Sequence, residues 1–134
     1  MRKFFKQCDV ITNHLANKEE LTGVLSEKLF DVMKPYATFI NTGRGKQVDE
    51  NGFVKAMKRV KTRTALLDAL CREPLNPLSP IARCKNIIVT PHIAGSLGNE
   101  VVRMAEYMTD EAQRIDNGEP PLYEVTFEML KTMA

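Results

Sequence analysis

Four short apolar runs, spaced by segments of helical period, constrain this chain more than any other feature. Asp9–His14 (DVITNH), Thr38–Asn41 (TFIN), Thr64–Asp68 (TALLD) and Asn86–Thr90 (NIIVT) are rich in β-branched and aliphatic residues and too short for buried helices. Between the first two, Ser26 is placed to cap a helix reaching Met33, with Leu29, Phe30 and Met33 on one face and Pro35 halting it. Asp49 is placed to cap a second helix, in which Phe53, Val54, Met57 and Val60 fall at helical spacing. Leu97 to Asn117 reads as the longest helix, with an apolar stripe of Val101, Ala105, Met108, Ala112 and Ile115 and a stop at Gly118. Short apolar strands alternating with helices predict an α/β fold, a parallel sheet of about four strands covered on both faces. Only Arg72–Cys84, with Pro74, Pro77 and Pro80, reads as an extended loop.

In parallel sheets of this kind, ligands bind beyond the carboxyl ends of the strands. Three of the four runs end in residues that carry chemistry. The second, inside FINTGRG (Phe39–Gly45), releases at Asn41 into an arginine bracketed by glycines. A guanidinium in such a turn suits a two-point grip on a small carboxylate or phosphate, because its fork matches two oxygens and glycine lets backbone come close. The third run ends at Asp68 and leads to Glu73; the fourth ends in Thr90-Pro91-His92, followed by Ala94-Gly95-Ser96. An arginine, a carboxylate and a histidine are thus expected on one rim.

That trio has a coherent reaction. Arg44 holds a substrate carboxylate and polarises the neighbouring carbonyl, while His92 gives and takes the proton of the carbon-bearing hydroxyl. Glu73 orients the imidazole and stabilises its charged form. No side chain accepts hydride, so a redox reaction at this rim implies a nicotinamide cofactor.

Composition excludes several other classes. The net charge of +2 across 134 residues is too small to argue for nucleic acid or an anionic membrane surface. The run Lys55–Arg63 reads as the solvated face of its helix, without the aromatic interleaving that base stacking needs. Cys8, Cys71 and Cys84 are odd in number and lack paired spacing, which points to reduced thiols and a cytoplasmic setting. Cys71, although near the rim, has no paired base at defined spacing and reads as a core or loop thiol. No His/Cys set has metal-ligand spacing, so no metal is expected. His14 reads as a strand-end residue satisfied by backbone. No apolar run approaches a membrane span, and the opening MRKFFKQCDVITNH has no signal-peptide core. Gly43-Arg44-Gly45, with Asp68 ending the next strand, also imitates part of a dinucleotide fingerprint; Val48 stands where its third glycine belongs.

The order MKPYATFINTGRGKQVDENGFVKAM, then TALLDALCREPL, then NIIVTPHIAGS resembles the NAD-binding domain of the D-isomer-specific 2-hydroxyacid dehydrogenases, from about Asp9 to about Pro120. The resemblance implies a Rossmann-like doubly wound fold, NAD or NADP as cofactor, and a small 2-hydroxy or 2-oxo carboxylic acid as substrate. It assigns substrate binding to Arg44, the glutamate partner to Glu73 and acid/base catalysis to His92. It assigns contact with the nicotinamide carboxamide to Asp68 and lays Asn41, Thr42, Gly43, His92 and Gly95 along the cofactor. Around His14-Leu15 the chain resembles the family's loop near the cofactor, with Ala16 where proline is usual, and DALC follows where DVF-type sequence is common.

The sequence contains no G-x-G-x-x-G turn with a following acidic residue, and no segment matching the family's separate substrate domain. The expectation is therefore a single domain over 1–134, the C-terminal portion of a Rossmann-like domain, inactive by itself. Exposed edges and helix faces would favour self-association or the missing remainder of the fold. The alternative is a non-catalytic nucleotide-binding or interaction module that retains the scaffold.

Overall fold

A computed structural model describes residues 1–133 and divides them into two compact units, Met1–His92 and Ile93–Met133. The first unit holds a parallel sheet of β1 (Val10–Asn13), β2 (Thr38–Asn41), β3 (Thr64–Leu67) and β4 (Ile87–Val89), in spatial order β1-β2-β3-β4. Val10 pairs with Thr38, Thr38 with Thr64 and Ala65 with Ile87, so the strands end level and their carboxyl ends form one rim. All four expected strands are present; β2 keeps its expected bounds, and the other three are shortened at one or both ends.

Three helices accompany the sheet: α1 (Arg2–Gln7), α2 (Glu27–Asp31) and α3 (Glu50–Arg59). The α1 helix falls in the opening segment that carried no helical signal; Phe5 is its one buried residue. The Asp49 side chain accepts the Gly52 N–H at 3.2 Å and caps α3 as expected. Ser26 stands at the amino end of α2 but its hydroxyl makes no capping bond, and the helix stops at Asp31, short of Met33.

The sheet is covered on one face only by elements of this unit, where two were expected. Alternation along β1 runs exposed–buried, and β2 and β3 repeat it, with Ile11, Phe39 and Leu67 turned inward. Val10 and Ile88 lie on the other face, each more than half exposed. Continuous apolar composition, especially in NIIVT, concealed this alternation. The covered face carries the core. Phe30 packs edge-on against Phe5, Phe39 and Phe53 with centroid separations of 5.7, 5.0 and 4.7 Å, a geometry aromatic quadrupoles favour.

The basic run also differs from its reading as a solvated face. Arg63 is only 4 % exposed and donates to the carbonyls of Asp31, Met33 and Lys34, closing the carboxyl end of α2. Burial lowers its pKa from the ordinary arginine value. Arg59 reaches Glu27 and Asp31, and these hydrogen-bonded carboxylates raise its pKa.

In the second unit, α4 (Asn99–Asp116) carries the expected stripe, and Val101, Met108 and Ile115 are each more than half exposed. Gly118, at φ 74°, ends the helix in the left-handed region. The chain then returns along α4: Glu111 accepts the N–H groups of Leu122 and Tyr123, and the Tyr107 and Tyr123 rings lie 5.8 Å apart. No helix among the described residues is long and apolar enough to cross a membrane.

Because Phe30 is fully buried at the centre of four rings, Phe30→Ala should cost about 3–5 kcal/mol in urea unfolding. Tyr36→Ala, at a position 80 % exposed, should fall within about 0.5 kcal/mol. Equal losses would contradict this placement of the core.

Candidate active site

The rim is built on three buried amides. Asn13, at the end of β1, donates from Nδ2 to Asn41 Oδ1 (2.9 Å) and to Gln47 Oε1 (2.6 Å). Asn41, at the end of β2, also accepts the Gly43 N–H (3.1 Å) and donates to the Ala69 carbonyl (3.2 Å) beyond β3. Gln47 donates to the carbonyls of Leu15 and Ala16 at 2.9 and 2.7 Å. The loops leaving three consecutive strands are thereby tied together by side chains that are themselves 4 % exposed or less. Asn13 and Gln47 were not recognised from the sequence, and a strand-end asparagine facing another one in register was their only signal.

Gly45 makes the second tie. A Cβ there would lie 1.9 Å from the Leu70 carbonyl carbon and 2.3 Å from the Cys71 nitrogen, so only glycine lets the arginine turn rest directly on the loop after β3. The Cys71 thiol donates to the Gly45 carbonyl at 2.9 Å, and burial raises its pKa, favouring the protonated donor form. It acts as a loop thiol, as the sequence indicated.

On this base the three candidate catalytic side chains meet. Arg44, Glu73 and His92 line one cavity of about 260 Å³, together with Lys46, Asn17 and Cys71. That is below the range of drug-sized ligand pockets and suits a small acid. Arg44 is exposed, and its guanidinium donates to the neighbouring Gly43 carbonyl (3.0 Å). Lys46 adds a second cation that sequence reasoning did not single out.

Glu73 Oε2 lies 2.8 Å from His92 Nδ1, while its Oε1 accepts the Leu70 N–H at 2.8 Å. The Leu70 bond, and then the imidazole, hold the Glu73 carboxyl below its ordinary pKa. Glu73 is therefore an anion throughout the neutral range, able to receive an N–H at Nδ1 and leave Nε2 outside that bond. His92 has φ 55°, and its N–H bonds back to the Thr90 carbonyl at 3.0 Å, so the chain turns sharply at the strand end. Asp68 is buried and accepts a bond from the Thr90 hydroxyl.

A larger cavity of about 570 Å³ adjoins this site and shares His92 and Glu73 with it. Leu70, Leu75 and Val89 contribute apolar wall, and Asp68 and Thr90 contribute polar groups. Asn41 and Gly43 stand at the amide network with Thr42 exposed between them. Gly95 belongs to the second unit. His14 is exposed just beyond β1. Among the described residues, no group of three His, Cys, Asp or Glu side chains is arranged to hold a metal.

The turn imitating a dinucleotide fingerprint is built differently from one. Gly45–Gln47 forms a short 3-10 turn, Val48 pairs with Leu25 in an isolated bridge, and α3 begins only at Glu50. Its amino end is occupied by the Asp49 carboxylate, where a phosphate would otherwise bind.

The model of the D-isomer specific 2-hydroxyacid dehydrogenase NAD-binding domain matches residues 1–94. The chain belongs to the D-isomer-specific 2-hydroxyacid dehydrogenase family. Glyoxylate reductases of Aeropyrum pernix and Korarchaeum cryptofilum are each 30 % identical over 131 residues, covering 98 % of this chain and 39 % and 40 % of those proteins. The chain thus spans about two-fifths of the length of the curated relatives it matches. D-lactate dehydrogenase with NAD+ from Lactobacillus jensenii superposes with a TM-score of 0.80 at 26 % identity, over 94 % of this chain and 42 % of that one. The NADPH-dependent glyoxylate/hydroxypyruvate reductase of Sinorhizobium meliloti, in complex with NADP and sulfate, gives 0.78 at 26 %, over 92 % and 40 %. The fold is thus the Rossmann-like α/β arrangement of this oxidoreductase family.

Two measurements check the site. The Glu73 carboxyl should titrate below a free glutamate by NMR and stay partly depressed in His92→Ala, because the Leu70 N–H is the larger cause. Its stabilising contribution is present above the ordinary glutamate pKa and is lost as pH falls through the lowered value. Full return to an ordinary titration in His92→Ala would contradict the assignment. Gly45→Ala should destabilise by about 1–3 kcal/mol or more in urea unfolding, whereas Gly95→Ala, which meets nothing within 4 Å, should change little.

Proposed function

We propose that this chain supplies the catalytic rim of an NAD(P)-dependent dehydrogenase interconverting a small 2-hydroxy acid and its 2-oxo acid. The observation that carries this reading is the shared cavity of Arg44, Glu73 and His92. Arg44 takes the substrate carboxylate with its fork and draws electron density from the adjacent carbonyl. His92 protonates the carbonyl oxygen during reduction and removes the hydroxyl proton during oxidation, from the nitrogen opposite the Glu73 bond. Glu73 keeps the ring oriented and stabilises its charged form.

The residues beside this cavity fit the nicotinamide end of a dinucleotide. The adjoining space offers apolar walls for a planar ring, and Asp68 supplies a buried carboxylate suited to a carboxamide N–H. A nicotinamide bound there supplies or accepts the hydride. Asn41, Thr42, Gly43 and His92 complete the proposed cofactor contacts. The pyrophosphate and adenosine of the same cofactor call for a glycine turn at a helix amino end, which this sequence does not contain. The chain by itself therefore binds NAD(H) weakly and turns over no 2-hydroxy acid. Its three free thiols suit a reducing compartment such as the cytoplasm. The open edge of β1 and the bare sheet face suit the remainder of such a fold, or a second copy of the chain.

Complementation tests the proposal. Adding the amino-terminal part of a related dehydrogenase should restore NADH oxidation with glyoxylate or hydroxypyruvate. In that assembly His92→Ala should lower kcat by about 100-fold or more. Arg44→Lys should raise KM on the order of tenfold or more with a smaller change in kcat. An unaltered rate in His92→Ala would discard the mechanism. Light scattering of the chain alone should show self-association at high concentration, and a monomer throughout would remove that part of the reading.

A further inference from the structure

The basic residues that the catalytic rim does not use are strongly segregated. Residues 51–67 and 74–99 contain no aspartate or glutamate, yet they hold Lys55, Lys58, Arg59, Lys61, Arg63, Arg83 and Lys85. Arg59 is paired with Glu27 and Asp31, and Arg63 is spent on the carbonyls closing α2. Four of the remainder, Lys58, Lys61, Arg83 and Lys85, surround one cavity of about 410 Å³ floored by Cys84 and Asn86. All four are exposed, and none forms an ion pair among the described residues.

The cavity lies where α3 leads into β3 and where the long loop leads into β4, at the amino ends of the strands. Its position is thus opposite the catalytic rim. Asn86 builds the floor: its Nδ2 donates to the carbonyls of Met57 (3.1 Å) and Arg63 (2.8 Å), and its Oδ1 faces the Cys84 thiol at 3.4 Å. The Asn86 bond thus occupies a carbonyl from the last turns of α3. The partial negative charge of a helix end, about half a unit, is far outweighed by four full cations.

Two plainer roles do not account for the cluster. Lys58 and Lys61 complement the carboxyl end of α3, but Arg83 and Lys85 arrive on a different connection and converge on the same space. A nucleic-acid track would need stacking surfaces, and no aromatic side chain lines this cavity. Four like charges around a concave, partly apolar wall repel one another and focus a positive potential, which an anion would relieve.

We propose that this cavity binds a compact multivalent oxyanion, the di- or triphosphate group of a small molecule. The volume lies within the range of small-ligand sites, and the arginine offers a planar fork beside three point charges. The site does not depend on the dehydrogenase reading.

Calorimetric titration of the full chain with inorganic tripolyphosphate at low ionic strength tests the proposal. The expected result is saturable one-to-one binding that weakens with added salt. The Lys58→Glu/Lys85→Glu pair should weaken it at least about tenfold, and Arg83→Gln should weaken it less but in the same direction. Lys3→Glu/Lys6→Glu, an equal change in charge on α1, and Arg44→Ala should keep the original affinity. Circular dichroism identifies any variant that fails to fold, and Arg83→Gln then carries the test. Absence of saturable binding, equal weakening in the α1 control, or a loss confined to Arg44→Ala would overturn the proposal.

Discussion

The bonds among Asn13, Asn41 and Gln47 are the constraint on which the site depends. Three amides lie in a nearly water-free position at the ends of β1 and β2 and in the turn that follows. A buried amide without partners costs about 1–3 kcal/mol per unsatisfied group, so these side chains favour the conformation in which each is satisfied. That conformation places the Gly43–Gly45 turn against the loop after β3, and the missing Cβ of Gly45 removes the last steric barrier between them. Arg44 is consequently carried to the cavity that Glu73 and His92 also line. The arginine turn is not a loop decorating a strand end; it is one wall of a polar joint.

The convergence of Arg44, Glu73 and His92 was legible because parallel sheets put strand ends together. Once TFIN, TALLD and NIIVT were read as strands, Arg44, Glu73 and His92 had to lie near one edge whatever the helices did. The joint beneath them was less visible, because an asparagine at a strand end is usual and only the register of Asn13 opposite Asn41 gives it meaning. Gly45 was read as giving a ligand close approach to backbone, and the structure shows that it gives the protein's own backbone that approach. One-sided covering of the sheet was also hidden, since apolar side chains on the bare face made each strand look buried on both sides. Arg63 misled in the opposite sense: a charge inside a basic run looks solvated, whereas three carbonyls hold it inside.

The two ends of the sheet carry different electrostatic logic. At the carboxyl ends, Arg44 and Lys46 stand with the anionic Glu73 around one small space, and the buried Asp68 lines the adjoining larger one, so positive and negative groups are mixed. Such mixing suits a reactant that needs one oxygen pair gripped and one proton moved. At the amino ends, Lys58, Lys61, Arg83 and Lys85 meet without a carboxylate among them. A site of one sign suits grip without proton transfer.

The central claim is that Arg44 and the His92–Glu73 pair form one preorganised seat for one small carboxylate. Titrating the isotopically labelled chain with oxalate, a planar analogue of a 2-oxo acid, tests it most directly by following the Arg44 Nε–H and His92 ring resonances. The account predicts that both shift together along a single saturation curve, while resonances of Lys58 and Lys85 follow neither. Movement of Arg44 without His92, or two curves of different midpoint, would contradict it.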